Sequence, residues 1–421
     1  MGTILIKGIY LNGKKQDIII KDNIITKICD SVSNNYIDGD YTLINGSGKA
    51  AIPGFINMHT HSGMTLFRGS SEDTKLQDWL NTIWKCEKNL DDELIYWGTK
   101  LACIEMIKTG TTSFLDQYWR VESALKAIQE SGIRSVQTLI TLNNNDNSGN
   151  DFMKSEYERL YNSSLSWGSK HKFGVSVHAP YTVSDEMIVW CSEFATKNGL
   201  KYHIHVSETE FENKESIRLH GCSPFERLER LGALKDNVIA AHCVWLSEND
   251  IEIMAKRGVT AVHNINSNLK LSSGYKFLYK EMAEKGVNIC LGTDGCASSN
   301  NLDMREAMKT AALLQKAWRE DPSAMPLNDV FNMGTINGAK ALNINAGEIK
   351  EGKLADLVLI DINNYAFTPN INFLSNLIYS ANSSCVNTVI CNGEILMQNR
   401  IIEYEQEVID NVNRIYSKLF M

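Results

Sequence analysis

The sequence predicts an α/β protein, a (β/α)8 barrel of the TIM type set between two β-rich chain ends. Three observations carry that prediction. Eight short apolar stretches read as strands, at 53–58, 112–116, 133–139, 173–178, 201–205, 238–241, 259–262 and 287–292. Amphipathic helices separate them, the grammar of a parallel sheet wrapped by helices. Polar side chains follow the apolar runs at five of the eight strand ends, where such a barrel carries its reactive groups.

Taken in order, residues 3–28 alternate strand-like runs (Ile4 to Ile6, Asp17 to Ile20, Ile24 to Ile28) with the turns Asn12-Gly13 and Asp22-Asn23, which predicts β-hairpins. Ala51 to Met58 is apolar and reads as one buried strand entered through the Pro53-Gly54 corner. Further on, Ser184 caps a helix ending before Gly199, Ser247 caps another ending before Gly258, and Gly286 closes one that runs from about Phe277. The polar stretch Asn143 to Asp151 predicts a surface loop near the barrel mouth. Strands return at Leu357 to Ile360 and Val386 to Cys391, the latter before an Asn392-Gly393 turn, and 402–421 reads as an amphipathic helix. A dinucleotide fingerprint is absent. The P-loop pattern also fails, with Leu43 at its first glycine position and Ala50 at its Ser/Thr position.

Composition narrows the class of function. The 421 residues, 43% hydrophobic and 22% charged, describe an ordinary globular chain, and a net charge of −8 without Lys/Arg clusters argues against a nucleic-acid partner. No run approaches the ~18 apolar residues of a membrane span. The start, Met1 to Lys7, lacks the pattern of a signal peptide. Ten scattered cysteines without a Cys-x-x-Cys read as reduced thiols. A cytoplasmic enzyme is expected.

The chemistry sits at the strand ends. His59 and His61 are two apart and point the same way, so both imidazoles can converge on a borderline metal such as zinc. Strand four ends in His178, strand five reads His203-Ile204-His205 and then Glu208, strand six ends in His242, and strand eight in Asp294. A catalytic zinc needs three or four protein ligands and a place for water, whose pKa it lowers to about 7. His59, His61, His205 and Asp294 supply three imidazoles and a carboxylate. Glu208, three residues past His205, is the proton shuttle, and His242 orients the nucleophile. His203 competes with His205 for the ligand role, but lies further down the strand and reads as a hydrogen-bonded histidine one layer below. His171 and His220 read as surface or loop histidines, and His263 as a supporting histidine at the end of strand seven. The acidic runs Asp91 to Glu93 and Glu208 to Glu212 carry the pattern of helix-start carboxylates, with Glu208 the exception.

Together, Pro53-Gly54-Phe55-Ile56-Asn57-Met58-His59-Thr60-His61, His205-x-x-Glu208, Ala241-His242-Cys243 and Gly292-Thr293-Asp294-Gly295 resemble the amidohydrolase superfamily. Within it the chain is similar to the aminohydrolases that include methylthioadenosine/S-adenosylhomocysteine deaminases. Leu66-Phe67-Arg68-Gly69, Ser267-Asn268-Leu269-Lys270-Leu271, Ala297 to Asn301 and Gly352 to Leu357 extend the likeness over nearly the whole chain. The resemblance implies a barrel at 56–349, a small β-sandwich domain from both chain ends (1–55 plus 350–400) and a terminal helix at 401–421. It also implies one divalent metal, zinc first, with Fe2+ and Mn2+ also suited. Strand four ends in His178 rather than in a lysine that could be carboxylated, which favours a mononuclear site. By the same resemblance Glu87 meets ribose hydroxyls and His178 the purine; the ordinary alternatives are a solvated helix glutamate and a buried hydrogen-bonded histidine. Two departures stand out: Leu139 where relatives carry an arginine for the substrate's tail, and Ile265 where they tend to have proline. The implied reaction is hydrolytic deamination of a 5′-modified adenosine. The alternative is deamination or dechlorination of a free heterocycle such as guanine, a pterin or a triazine. The expected partner is a small-molecule substrate, with no membrane or nucleic acid; a homo-oligomer is compatible with this.

Overall fold

The structure is a computed structural model that describes residues 2–32, 39–144 and 146–420. Met1, Asn145 of the predicted polar loop and Met421 of the terminal helix lie outside the described residues. The central sheet has eight parallel strands in sequential order: Phe55–Thr60, Thr111–Tyr118, Arg134–Leu139, His171–Val177, Tyr202–Val206, Val238–His242, Thr260–His263 and Asn288–Leu291. Strand eight returns to strand one, where the Asp294 amide donates to the His59 carbonyl at 3.0 Å. All eight expected strands are present, and both faces of nearly every one are buried, which explains their continuous apolar character.

Alternation along the strands sorts the barrel into layers. Ile56, Met58, Leu115, Val136, Ile239, Val262 and Cys290 fill its floor, closed from beneath by Ala339, Ala341 and Leu342 of the helix Ile336–Leu342. Above that floor the inward positions turn polar. The outward residues pack against the helices in one large core.

One expectation is corrected at the entrance. The apolar run 51–58 is two strands: Lys49–Pro53 belongs to a second sheet and Phe55–Thr60 to the barrel. Gly54 is the corner between them. A Cβ there would fall 2.1 Å from the Thr112 hydroxyl, so only glycine lets the chain pass this close to strand two. Hydrophobicity alone cannot show a change of sheet inside a buried run.

The second sheet also has eight strands, drawn from 3–53 and from 357–397. It branches at its first strand, Thr3–Leu11, which pairs antiparallel with Lys14–Lys21 and parallel with Tyr41–Asn45 and Lys49–Pro53. The hairpin turns Asn12-Gly13 and Asn392-Gly393 have positive φ at both residues, as their sequence predicts. A buried ion pair ties this sheet to the barrel: Arg134, at the start of strand three, donates to both carboxylate oxygens of Asp356 at 3.1 Å each, and to Asn392. The predicted caps at Ser184 and Ser247 form, while the helix before Gly286 begins at Tyr279. The terminal helix spans Glu405–Ile415 and continues as a 3-10 turn.

Candidate active site

Four imidazoles crowd the top of the barrel beside Asp294. The His59 Nε2 and the His61 Nε2 lie 3.4 and 3.3 Å from the same oxygen, Asp294 Oδ1. Those spacings are long for hydrogen bonds, but two donors each ~2.1 Å from one tetrahedral ion would be ~3.4 Å apart. His59, His61 and Asp294 form one set whose ligand atoms all lie within 4.8 Å of one another, and His59, His205 and His242 form another.

The Nδ1 atoms explain why the Nε2 atoms are free. His61 Nδ1 donates to the Gln117 carbonyl at 2.6 Å and His205 Nδ1 to the His178 carbonyl at 2.6 Å. His59 Nδ1 is 2.7 Å from His203 Nε2, and His203 Nδ1 is 2.9 Å from the Ile239 carbonyl. A carbonyl only accepts, so His203 donates through Nδ1 and accepts from His59 through Nε2. His59 is thereby left with a lone pair on Nε2, which is buried and has no hydrogen-bond partner among the described residues. His203, with both nitrogens used, cannot ligate; it supports His59 from the layer below.

Charge follows the same logic. Burial lowers the His59 pKa to about 4 and those of His203 and His205 well below the ordinary value, so these rings are neutral. Burial opposes the Asp294 charge, but the His59 and His61 rings beside it outweigh that and hold the carboxylate well below its usual range. Neutral imidazoles with an ionised carboxylate are the form a divalent metal requires, and the unpartnered His59 Nε2 fits that requirement.

Glu208 stands across the cavity, with Oε2 3.8 Å from His242 Nε2 and Oε1 accepting from the Ser273 hydroxyl at 3.1 Å. Burial raises its pKa. For His242, burial lowers the pKa, but the Glu208 and Asp294 carboxylates reverse the balance and the net shift is upward. Its Nδ1 is held by Asn268 Oδ1 at 2.8 Å. The backbone is left-handed at Ser207, His242, Cys243 and Asp294, with φ between 50° and 74°. Non-glycine residues in that region store about 1–3 kcal/mol each and mark functional sites.

These groups open into one small cavity of about 50 Å³, roofed by the helix Leu76–Glu87 through Trp79, Leu80, Ile83 and Trp84. Glu87 and His178 both reach it. The buried Tyr118 hydroxyl donates to Glu87 at 2.7 Å, and burial raises the Glu87 pKa. His178 bonds Thr182 through Nδ1 at 2.8 Å and meets Trp84 edge-on, and burial lowers its pKa to about 3. His59, His61, His205, His242, Asp294, Glu208, Glu87 and His178 are therefore all brought together.

Some expectations are revised. Leu139 does not line the cavity; Ile140 does. Val136 fills the barrel floor and Thr138 bonds the Asp116 carbonyl on the same face, so alternation turns Leu139 outward and Ile140 inward. His171 is buried beside the Ser135 hydroxyl rather than exposed. His263 stacks on Phe277 at 3.9 Å between ring centroids and belongs to neither set of ligand atoms. Glu212 is buried, unlike the exposed Glu210 of the same helix start.

Asp116, Gln117 and Ser273 join the site without a motif that marks them in the sequence, and Asn268 joins it from the stretch Ser267 to Leu271. Asp116 accepts the Ser62 amide at 2.7 Å and the Ser62 hydroxyl at 2.6 Å, fixing the chain just after His61. The one signal available was a carboxylate inside an apolar strand.

A parallel barrel with histidines and an aspartate gathered at its C-terminal mouth defines a hydrolase scaffold of the metal-dependent kind. The sequence pattern of the amidohydrolase family matches residues 50–396, and the chain belongs to that family. It is 42% identical over 396 residues to a 5′-deoxyadenosine deaminase of Methanothermobacter thermautotrophicus, covering 94% of this chain and 92% of that one. It is 44% identical over 404 residues to a 5-methylthioadenosine/S-adenosylhomocysteine deaminase of Thermococcus sibiricus, covering 94% of each. Among solved structures, an adenosine deaminase of Xanthomonas campestris with bound zinc superposes with a TM-score of 0.92 at 29% identity, covering 99% of this chain and 98% of that one.

Proposed function

We propose that this protein is a metal-dependent deaminase that hydrolyses a 5′-modified adenosine, such as 5′-deoxyadenosine or methylthioadenosine, to the inosine analogue and ammonia. The observation that carries the reading is the tautomer chain. Hydrogen bonds at the Nδ1 atoms of His59, His61 and His205 leave the Nε2 atoms of His59 and His61 free beside Asp294 and that of His205 free beside His59, at a cavity that also holds Glu208 and Glu87. Relatives above 40% identity that act on such nucleosides support the choice of substrate.

In this reading His59, His61, His205 and Asp294 hold one divalent ion, zinc first. When bound, the ion supplies Lewis acidity that makes water nucleophilic near neutral pH. Glu208 takes a proton from the attacking water and gives it to a ring nitrogen of the purine. Carbon–oxygen bond formation at the amino-bearing carbon then precedes carbon–nitrogen cleavage, and Glu208 carries the second proton to the departing ammonia. His242 orients the water and stabilises charge on it. His178 meets the purine ring, and Glu87, steadied by Tyr118, accepts from the ribose hydroxyls.

Among the described residues the cavity lining contains three carboxylates, Glu87, Glu208 and Asp294, and no lysine or arginine. With Ile140 at the inward position, an apolar 5′ group suits this lining better than an anionic tail. Ammonia release by zinc-loaded protein tests the proposal on a panel of adenosine, 5′-deoxyadenosine, methylthioadenosine, S-adenosylhomocysteine, guanine and cytosine. Selective turnover of the 5′-deoxy and 5′-methylthio nucleosides is expected. Silence on every adenosine would reject it.

A further inference from the structure

Glu212 is a carboxylate buried to 5% exposure in the first turn of the helix Glu210–His220. Its Oε1 accepts the Ser207 amide at 2.9 Å and its Oε2 the Glu208 amide at 2.8 Å. Those two consecutive amides stand where strand five has ended and Ser207 adopts a left-handed φ of 53°. Without an acceptor at that place the turn would leave two buried N–H groups unsatisfied on top of its conformational strain. The Ser207 carbonyl in turn accepts the Val244 and Trp245 amides at 3.0 and 2.9 Å, and the Val206 carbonyl accepts the Cys243 amide at 3.1 Å. The turn that Glu212 clamps therefore also holds the chain directly after His242. Thr209 fixes Glu212 itself, by accepting its amide at 3.0 Å.

We propose that Glu212 is the positioning residue of the reaction, locking the backbone turn that aims Glu208 at His242. A carboxylate is the one side chain with two acceptor oxygens on a single fork and no donor, which two adjacent N–H groups require. Catalytic groups need to be held within fractions of an ångström, and this clamp supplies that hold without touching the reacting atoms. The proposal rests on the reading of Glu208 as proton carrier.

Glu212→Gln is the test. Its amide offers one acceptor and turns an NH2 donor toward the other N–H, so one bond is lost and a donor–donor contact replaces it. In zinc-loaded protein the expected result is a kcat at least ten-fold lower with KM within three-fold of the parent. Metal content should be unchanged, and hydrogen exchange at the Ser207 and Glu208 amides faster. An unchanged kcat overturns the proposal, as does a kcat loss matched by loss of metal and fold. Should the variant not fold, Glu212→Asp replaces it, being too short to reach both amides, and a parental kcat there overturns the proposal equally. If the parent enzyme itself releases no ammonia, the functional reading has failed, and amide exchange alone decides: unchanged exchange at 207 and 208 sinks the clamp.

Discussion

At the scale of single residues, neighbours with one chemistry are divided by what their second atoms touch. His203 and His205 are two apart on one strand face, yet His203 has both nitrogens in hydrogen bonds while His205 keeps one free. Replacing His203 with leucine removes the acceptor that sets the His59 tautomer. Metal affinity should fall about 10–100-fold, the usual cost of losing such a partner, as read by competition with a chelator. An unchanged affinity would exclude the relay. Glu208 has the opposite signature, a carboxylate in the cavity outside the ligand set. Glu208→Gln should lower kcat by about 10²–10⁴-fold while metal per chain stays constant, and a variant with near-parental turnover would contradict the proton-carrier role.

At the scale of elements, the helix Leu76–Glu87 lays Trp79, Leu80, Ile83 and Trp84 over the cavity and delivers Glu87 at its last turn. Glu87→Ala should raise KM for a nucleoside substrate about ten-fold or more, the cost of hydrogen bonds to a charged acceptor, with little change in metal content; an unaltered KM would argue against a ribose contact. Strands were the most legible elements, because a strand buried on both faces needs a compact apolar run, and their ends were legible because histidines and carboxylates interrupt those runs. What escaped the sequence were facts of direction and partnership. One residue of parity separates Leu139 from Ile140, and a strand's inward face shows only once its neighbours are placed. Glu212 looks like any helix-start acid until the turn before it is seen to offer two amides. Asn268, on the short helix Ile265–Lys270, and Ser273, in the turn after it, approach His242 and Glu208 in a way that no local pattern encodes.

At the scale of the whole molecule, a barrel that buries so many neutral histidines is exposed to acid. His178 and His263 are pushed down to about 3 by burial, with neighbouring histidines adding to the shift. Their unfolded value is about 6.5. Between those limits the unfolded chain binds more protons than the folded one, so stability is full above pH 6.5 and drains away as pH falls toward 3. Each such ring contributes a slope of about 1.4 kcal/mol per pH unit in that window. His263 is the cleaner test, since it belongs to neither set of ligand atoms. Its ring stacks on Phe277 with planes 15° apart, and neither nitrogen has a partner among the described residues. A phenylalanine keeps the stacked ring and removes the proton site. Denaturant unfolding of parent and His263→Phe at pH 7 and pH 5 should therefore show the variant losing about 2 kcal/mol less between the two. The comparison cancels the acid sensitivity of the proposed metal ligands, which both proteins share. Equal losses in the two proteins would mean that His263 is not held neutral by its surroundings.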